Sequence, residues 1–152
     1  MKNIQTEILI LADTAKVWDV LMNFDSYPKW NPFITSISGE RKLGNRLTVS
    51  INPPGGKGMT FKPNILTLEA NKEFRWKGKL GINGIFDGEH YFILESVDKD
   101  ITKFIHGEKF SGLLVPLVCK MLDKTQKGFQ LMNESIKNKC ERKSNLLNIH
   151  EK

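Results

Sequence analysis

The hydrophobic period of this chain changes once, and that change leaves few folds open. From about residue 35 to 112 apolar and polar residues alternate in runs broken by turn signals, and from about 113 to 140 apolar residues recur every three or four positions. A long alternating stretch followed by one amphipathic helix describes an antiparallel sheet that buries one face against a terminal helix. A chain of 152 residues has room for one such core and no second. Hydrophobic residues at 39% and charged residues at 26% are globular values, which excludes a disordered or fibrous chain.

Residues 4 to 11 read as a first strand, and Asp13 as the N-cap of a helix over TAKVWDVLMNF, where Val17, Trp18, Leu21 and Met22 share a face. SYPKWNPF holds two prolines and predicts only a short helix or turn. Six strands follow. The last two, FDGEHYFILESV and ITKFIHGEKFSG, are joined by the tight polar link VDKD, while MTFKPNILTLEA reads as one strand. The final helix places Leu114, Val118, Met121, Phe129, Met132, Ile136 and Cys140 on one stripe. Proline is tolerated in a first turn, so this helix is expected to start just before Pro116. After Cys140 the pattern fades. The reading is thus a domain over 1–140 and a frayed basic tail over 141–152. The fold class expected is α+β: a seven-stranded antiparallel sheet wrapped around a long C-terminal helix, with two short helices after strand 1 and a cavity between sheet and helix.

The net charge of +6 raises the question of nucleic acid. Residues 137–152 hold five basic side chains against two acidic ones, so half the excess sits in the tail. No groove-reading helix, zinc-finger spacing or RNA-binding motif accompanies it, so no nucleic-acid partner is expected. Cys119 and Cys140 lie 21 residues apart on the expected helix, about 30 Å at 1.5 Å per residue, too far for a disulfide. Free thiols suit a reducing cytoplasm, which is the localisation expected. The run ILILA is too short for a signal peptide and LLVPLVC too short for a membrane span, so no stable membrane insertion is expected.

Alternation sorts the strand residues into faces. His90, Phe92 and Leu94 share one; Phe104, His106, Glu108 and Phe110 share one; Phe74, Trp76, Gly78 and Leu80 share one, opposite Arg75, Lys77 and Lys79. If VDKD is the turn, hairpin partners sum to about 198, which sets His90 opposite Glu108 and Phe92 opposite His106. The interior is then aromatic and aliphatic, with His90, His106 and Glu108 as its ionisable groups. Three roles remain open for them: orienting a ligand, pairing to offset burial, or general acid–base catalysis. Two histidines and a glutamate also form a conceivable metal set, but neither HExxH nor close cysteine spacing supports one, and no metal is assigned.

PPGGKGMT and GERKLGNR lack the phosphate-loop Lys-Ser or Lys-Thr, and GKLGING does not match a dinucleotide fingerprint, so no cofactor is expected. Ser111 lacks a GxSxG setting. Gly128 in mid-helix points to close approach by the sheet or by a ligand.

The order of elements, with WNPFI at 30–34, LTVSINPP at 47–54, FDGEHYFIL at 86–94, FIHGEKFSGLLVP at 104–116 and GFQLMNESIK at 128–137, resembles the SRPBCC (START/Bet v 1-like) superfamily. Within it the chain is most similar to bacterial polyketide cyclase/dehydrase and lipid-transport-like single-domain proteins, from Met1 to about Cys140. The resemblance implies a helix-grip fold with a cavity for a hydrophobic ligand, and it transfers no catalytic set. The expected partner is a lipid- or polyketide-like small molecule, lined by Trp30, Phe61, Trp76, Phe92, Phe110 and Met121 and oriented by His90, His106 and Glu108, on a monomer or homodimer. The alternative is a cyclase/dehydratase-type enzyme using the His–Glu pair. A third reading makes the basic tail an interaction module.

Overall fold

The computed structural model describes residues 1–79, 84, 86–117 and 119–150, with the backbone alone described at 117, 119 and 143–150. The first strand, β1 (Lys2–Ile10), turns Ile4, Thr6 and Ile10 inward by simple alternation. Asp13 then caps α1 (Thr14–Met22), accepting a 2.8 Å bond from the Lys16 N–H, and α1 buries Val17, Trp18, Val20 and Leu21. The proline-containing stretch forms a 3-10 turn, Phe24–Ser26, and one turn of helix, α2 (Tyr27–Trp30). Asn31 ends it, its Oδ1 accepting from the N–H groups of Phe33 and Ile34 at 3.0 and 2.9 Å.

Two antiparallel sheets follow from the alternating stretch. The small one runs β2 (Ile34–Ser38), β3 (Thr48–Ile51), β4 (Met59–Phe61) in that order. The large one contains β5 (Asn64–Glu69), β6 (Glu73–Lys79), β7 (Asp87–Asp98) and β8 (Ile101–Ser111), ordered β1-β8-β7-β6-β5. The described residues therefore form eight strands in sheets of five and three, where seven in one sheet were expected. The difference arises at Pro63: it has no N–H for a ladder, so MTFKPNILTLEA divides into β4 and β5. The sheets stay joined beside the break, where the Leu47 N–H reaches the Pro63 carbonyl at 2.8 Å and the Ile65 N–H reaches that of Asn45 at 2.9 Å.

The hairpin register is the expected one, with His90 opposite Glu108 and Phe92 opposite His106; a bulge next to the turn moves the last pair to Asp98 and Ile101. Leu80, assigned above to the inner face, lies outside the described residues.

The terminal helix, α3 (Cys119–His150), starts later than expected. Pro116 sits in a separate 3-10 turn, Val115–Leu117, and the α-helix follows it. Val118 lies outside the described residues, and Leu114 is exposed rather than on the stripe. The helix also continues past Cys140 to His150, so the segment read as frayed has a helical backbone. Leu122, Thr125, Phe129, Met132, Asn133, Ile136 and Cys140 form the buried face, which packs chiefly on β1 and α1. Gly128 admits the ring of Phe33, which occupies the place a Cβ would take. The close approach inferred at this glycine is thus to a side chain of the segment between α2 and β2.

Candidate functional site

The sheets leave an apolar cleft where β3 and β4 of one face β6, β7 and β8 of the other. Phe33, Ile51, Met59, Phe61, Phe86 and Phe110 wall it, Gly78 and Gly88 thin it, Lys79 stands at its rim, and His90 and Glu108 supply its polar end. Its volume is about 60 Å³, well below the roughly 300 Å³ of a typical small-molecule site, so a ligand must displace side chains to enter. Met59 and Phe61, both only partly buried, lie on the three-residue edge strand β4.

Behind the polar end, a hydrogen-bonded chain runs through the core. Neighbouring rows of the large sheet build it. One row carries Trp76, His90 and Glu108 on successive strands; the next carries Phe74, Phe92, His106 and Thr6. His90 and His106 are thus diagonal neighbours across the hairpin, with their Nε2 atoms 2.8 Å apart. From α3, Asn133 Oδ1 meets His106 Nδ1 at 2.9 Å, and Asn133 Nδ2 donates to Thr6 Oγ1 at 2.8 Å. The Thr6 hydroxyl donates in turn to the carbonyl of His106 at 2.9 Å. At the cleft end, Glu108 Oε2 stands 3.4 Å from His90 Nδ1, a looser contact than the others.

Aromatic rings seal the chain. Trp76 stacks on His90 at 4.6 Å and 17°, and Phe129 on His106 at 4.0 Å and 19°. His90 and His106 are buried, whereas the Glu108 side chain keeps 14% of its surface open. Burial sets the charges. It lowers His90 to about 3 and holds His106 well below its ordinary value, with His90 adding to the effect and the hydrogen bonds to Asn133 and the Phe129 carbonyl opposing it. It raises Glu108 to about 8. At neutral pH the chain is neutral from end to end. Gly88 makes room for this, because a Cβ there would collide with Glu108 Oε1.

Of the expected site residues, Phe61, His90, Glu108 and Phe110 do line the cleft. His106 and Phe92 lie one row deeper, and Trp76 backs His90 as a wall of the core. Trp30 packs on Tyr27 and donates its indole N–H to Ser26, and Met121 packs at the edge of the core; neither borders the cleft. No described residue of α3 lines it either, since Phe33, Phe129 and Met132 fill the space expected between sheet and helix. Asn133 and Thr6 were missed. Each had a signal: Asn133 follows Phe129 by four on the buried stripe, and Thr6 alternates with Ile4 on an inward face.

An antiparallel sheet curled over one long terminal helix, with an apolar cleft inside, is the helix-grip architecture of START and Bet v 1-like proteins. The chain belongs to the family described as polyketide cyclase / dehydrase and lipid transport, matched over residues 1–141. Its fold is similar to the Zhui aromatase/cyclase from a Streptomyces species (13% identity, 94% of this chain and 95% of that one, TM-score 0.77). It is also similar to a START superfamily protein from Mycobacterium smegmatis (17%, 92% and 97%, 0.70) and to a norcoclaurine synthase from Thalictrum (15%, 94% and 96%, 0.71). No curated protein matches the sequence. At these identities the solved structures speak for the fold alone.

Proposed function

We propose that the protein binds an apolar or aromatic small molecule, lipid- or polyketide-like, in the cleft between the sheets, with Glu108 contacting its polar group. The observation that carries this is the pairing of an apolar wall with a single carboxyl that burial holds neutral and that still opens on the cleft. Burying roughly 200 Å² of ligand surface at about 25 cal/mol per Å² gives about 5 kcal/mol, from which association and the opening of β4 subtract, so affinities no tighter than about 0.2 mM are expected from this surface alone. The test is native mass spectrometry on protein purified from its own host, beside Met59→Trp, which fills the cleft from its rim. A bound apolar species lost in the variant supports the proposal. Empty protein together with no saturable uptake from a hydrophobic ligand screen refutes it.

A second reading, a cyclase/dehydratase-type enzyme, is favoured by Glu108 itself, a carboxyl that burial keeps protonated at neutral pH and that opens on the cleft, where it would act as a general acid. It predicts a bell-shaped pH–rate profile and loss of turnover with retained binding in Glu108→Gln.

A further inference from the structure

The chain from Thr6 to Glu108 has a direction. A backbone carbonyl only accepts, so the Thr6 hydroxyl, bonded to that of His106, spends its proton there. Its oxygen must then receive from Asn133, which places the amide nitrogen toward Thr6 and Oδ1 toward His106. The Asn133 acceptor requires a proton on the ring nitrogen facing it, Nδ1, and a neutral ring then offers its lone pair at Nε2. His90 consequently donates from Nε2 and presents its own lone pair at Nδ1. The group facing that lone pair is Glu108 Oε2, and an ionised oxygen there would set two lone pairs against each other. The carboxyl proton therefore belongs on Oε2. Oε1, the carbonyl oxygen, lies over Gly88 at the cleft wall, and among the described residues no hydrogen bond reaches it.

We propose that this cleft selects ligands whose polar group is a hydrogen-bond donor, a phenol, enol or alcohol, received by Oε1 of Glu108, because the Thr6–Asn133–His106–His90 chain fixes the carboxyl proton on Oε2. The inference rests on the reading of the cleft as a ligand site. It names the ligand's polar chemistry, which the apolar walls leave open.

The test is an NMR shift titration at pH 6.5 with 4-propylphenol, 4-propylanisole and propylbenzene, which share a body and differ in donor, acceptor-only and apolar ends. The phenol is expected to bind about tenfold tighter than the other two, the worth of one buried hydrogen bond. Glu108→Gln keeps that preference, since an amide nitrogen facing His90 leaves its oxygen to the cleft, and Glu108→Leu abolishes it while still taking up propylbenzene. Nitrogen-15 spectra are expected to show His106 protonated at Nδ1 and His90 at Nε2. Propylbenzene binding with no preference for the phenol, tighter binding of the anisole, or a His90 protonated at Nδ1 overturns this inference and leaves the cleft as a ligand site. Failure of all three probes to bind overturns both.

Discussion

Strands β6, β7 and β8 show two faces to two solvents, and glutamate behaves differently on each. On the outer face Arg75 bridges Glu73 at 2.7 Å and Glu89 at 2.9 Å and lies over the ring of Tyr91; partial burial works against its charge, and the hydrogen bonds and negative charges of the two carboxylates together outweigh it and hold the guanidinium more firmly charged. On the inner face, one residue out of phase, Glu108 faces the imidazole of His90, with that of His106 one row deeper, and burial holds all three neutral. The pleat alone decides which treatment a residue receives. Charge on the outer face is matched by opposite charge, whereas charge on the inner face is suppressed and the proton kept for hydrogen bonding.

The largest effect is expected from breaking the inner chain at its middle. His106→Leu leaves the His90 N–H and Asn133 Oδ1 buried without partners, at a cost of about 3 kcal/mol, and thermal unfolding should move down by about 6–12 °C. The pH dependence of stability comes next. Glu108 holds its proton more tightly folded than unfolded, so stability falls as pH rises from about 4.5 to 8 on its account. His90 and His106 hold theirs less tightly, so stability falls as pH drops below about 6.5 on theirs. Together they place the maximum near pH 6.5, with a decline above it of about 1.4 kcal/mol per unit until Glu108 ionises. Urea unfolding at a series of pH values should show that decline in the wild type and a flat limb in Glu108→Gln.

Gly88→Ala sharpens the comparison more gently. Its methyl displaces a flexible carboxyl rather than backbone, so about 1 kcal/mol of stability is lost, while the carboxyl swings into the cleft and uptake of propylbenzene should fall severalfold. On the outer face, Glu89→Gln should cost less than about 1 kcal/mol, because Arg75 keeps Glu73 and both carboxylates are part-exposed. If Glu89→Gln proved as damaging as His106→Leu in the same unfolding assay, the contrast between the faces would collapse.

The sequence made the faces and the hairpin register legible, because alternation plus a tight VDKD link leaves one register that buries Phe92 and Phe104 together. Depth along the strands was not legible in the same way. Residues 90, 92 and 106 share an inward direction, yet only His90 reaches the cleft, because the position of the small sheet decides where the interior is open. That position depends on the break at Pro63, which alternation on either side concealed. Asn133 meets His106 across 27 residues and Thr6 across 127, and no periodicity within α3 says which strand row a helix residue will face. Trp30 and Met121 looked like cavity walls because aromatic and sulfur side chains suit both a core and a pocket.

The account turns on Glu108 keeping its proton at neutral pH. Carbon-13 labelling of glutamate, with the Glu108 carboxyl assigned through its loss in Glu108→Gln, follows that group directly through a titration from pH 4 to 10. The predicted midpoint is about 8, with both histidines remaining neutral tautomers down to well below pH 6. A midpoint near the ordinary carboxyl value of 4.5, accompanied by a His90 ring doubly protonated at neutral pH, would make the pair an ion pair and contradict the account.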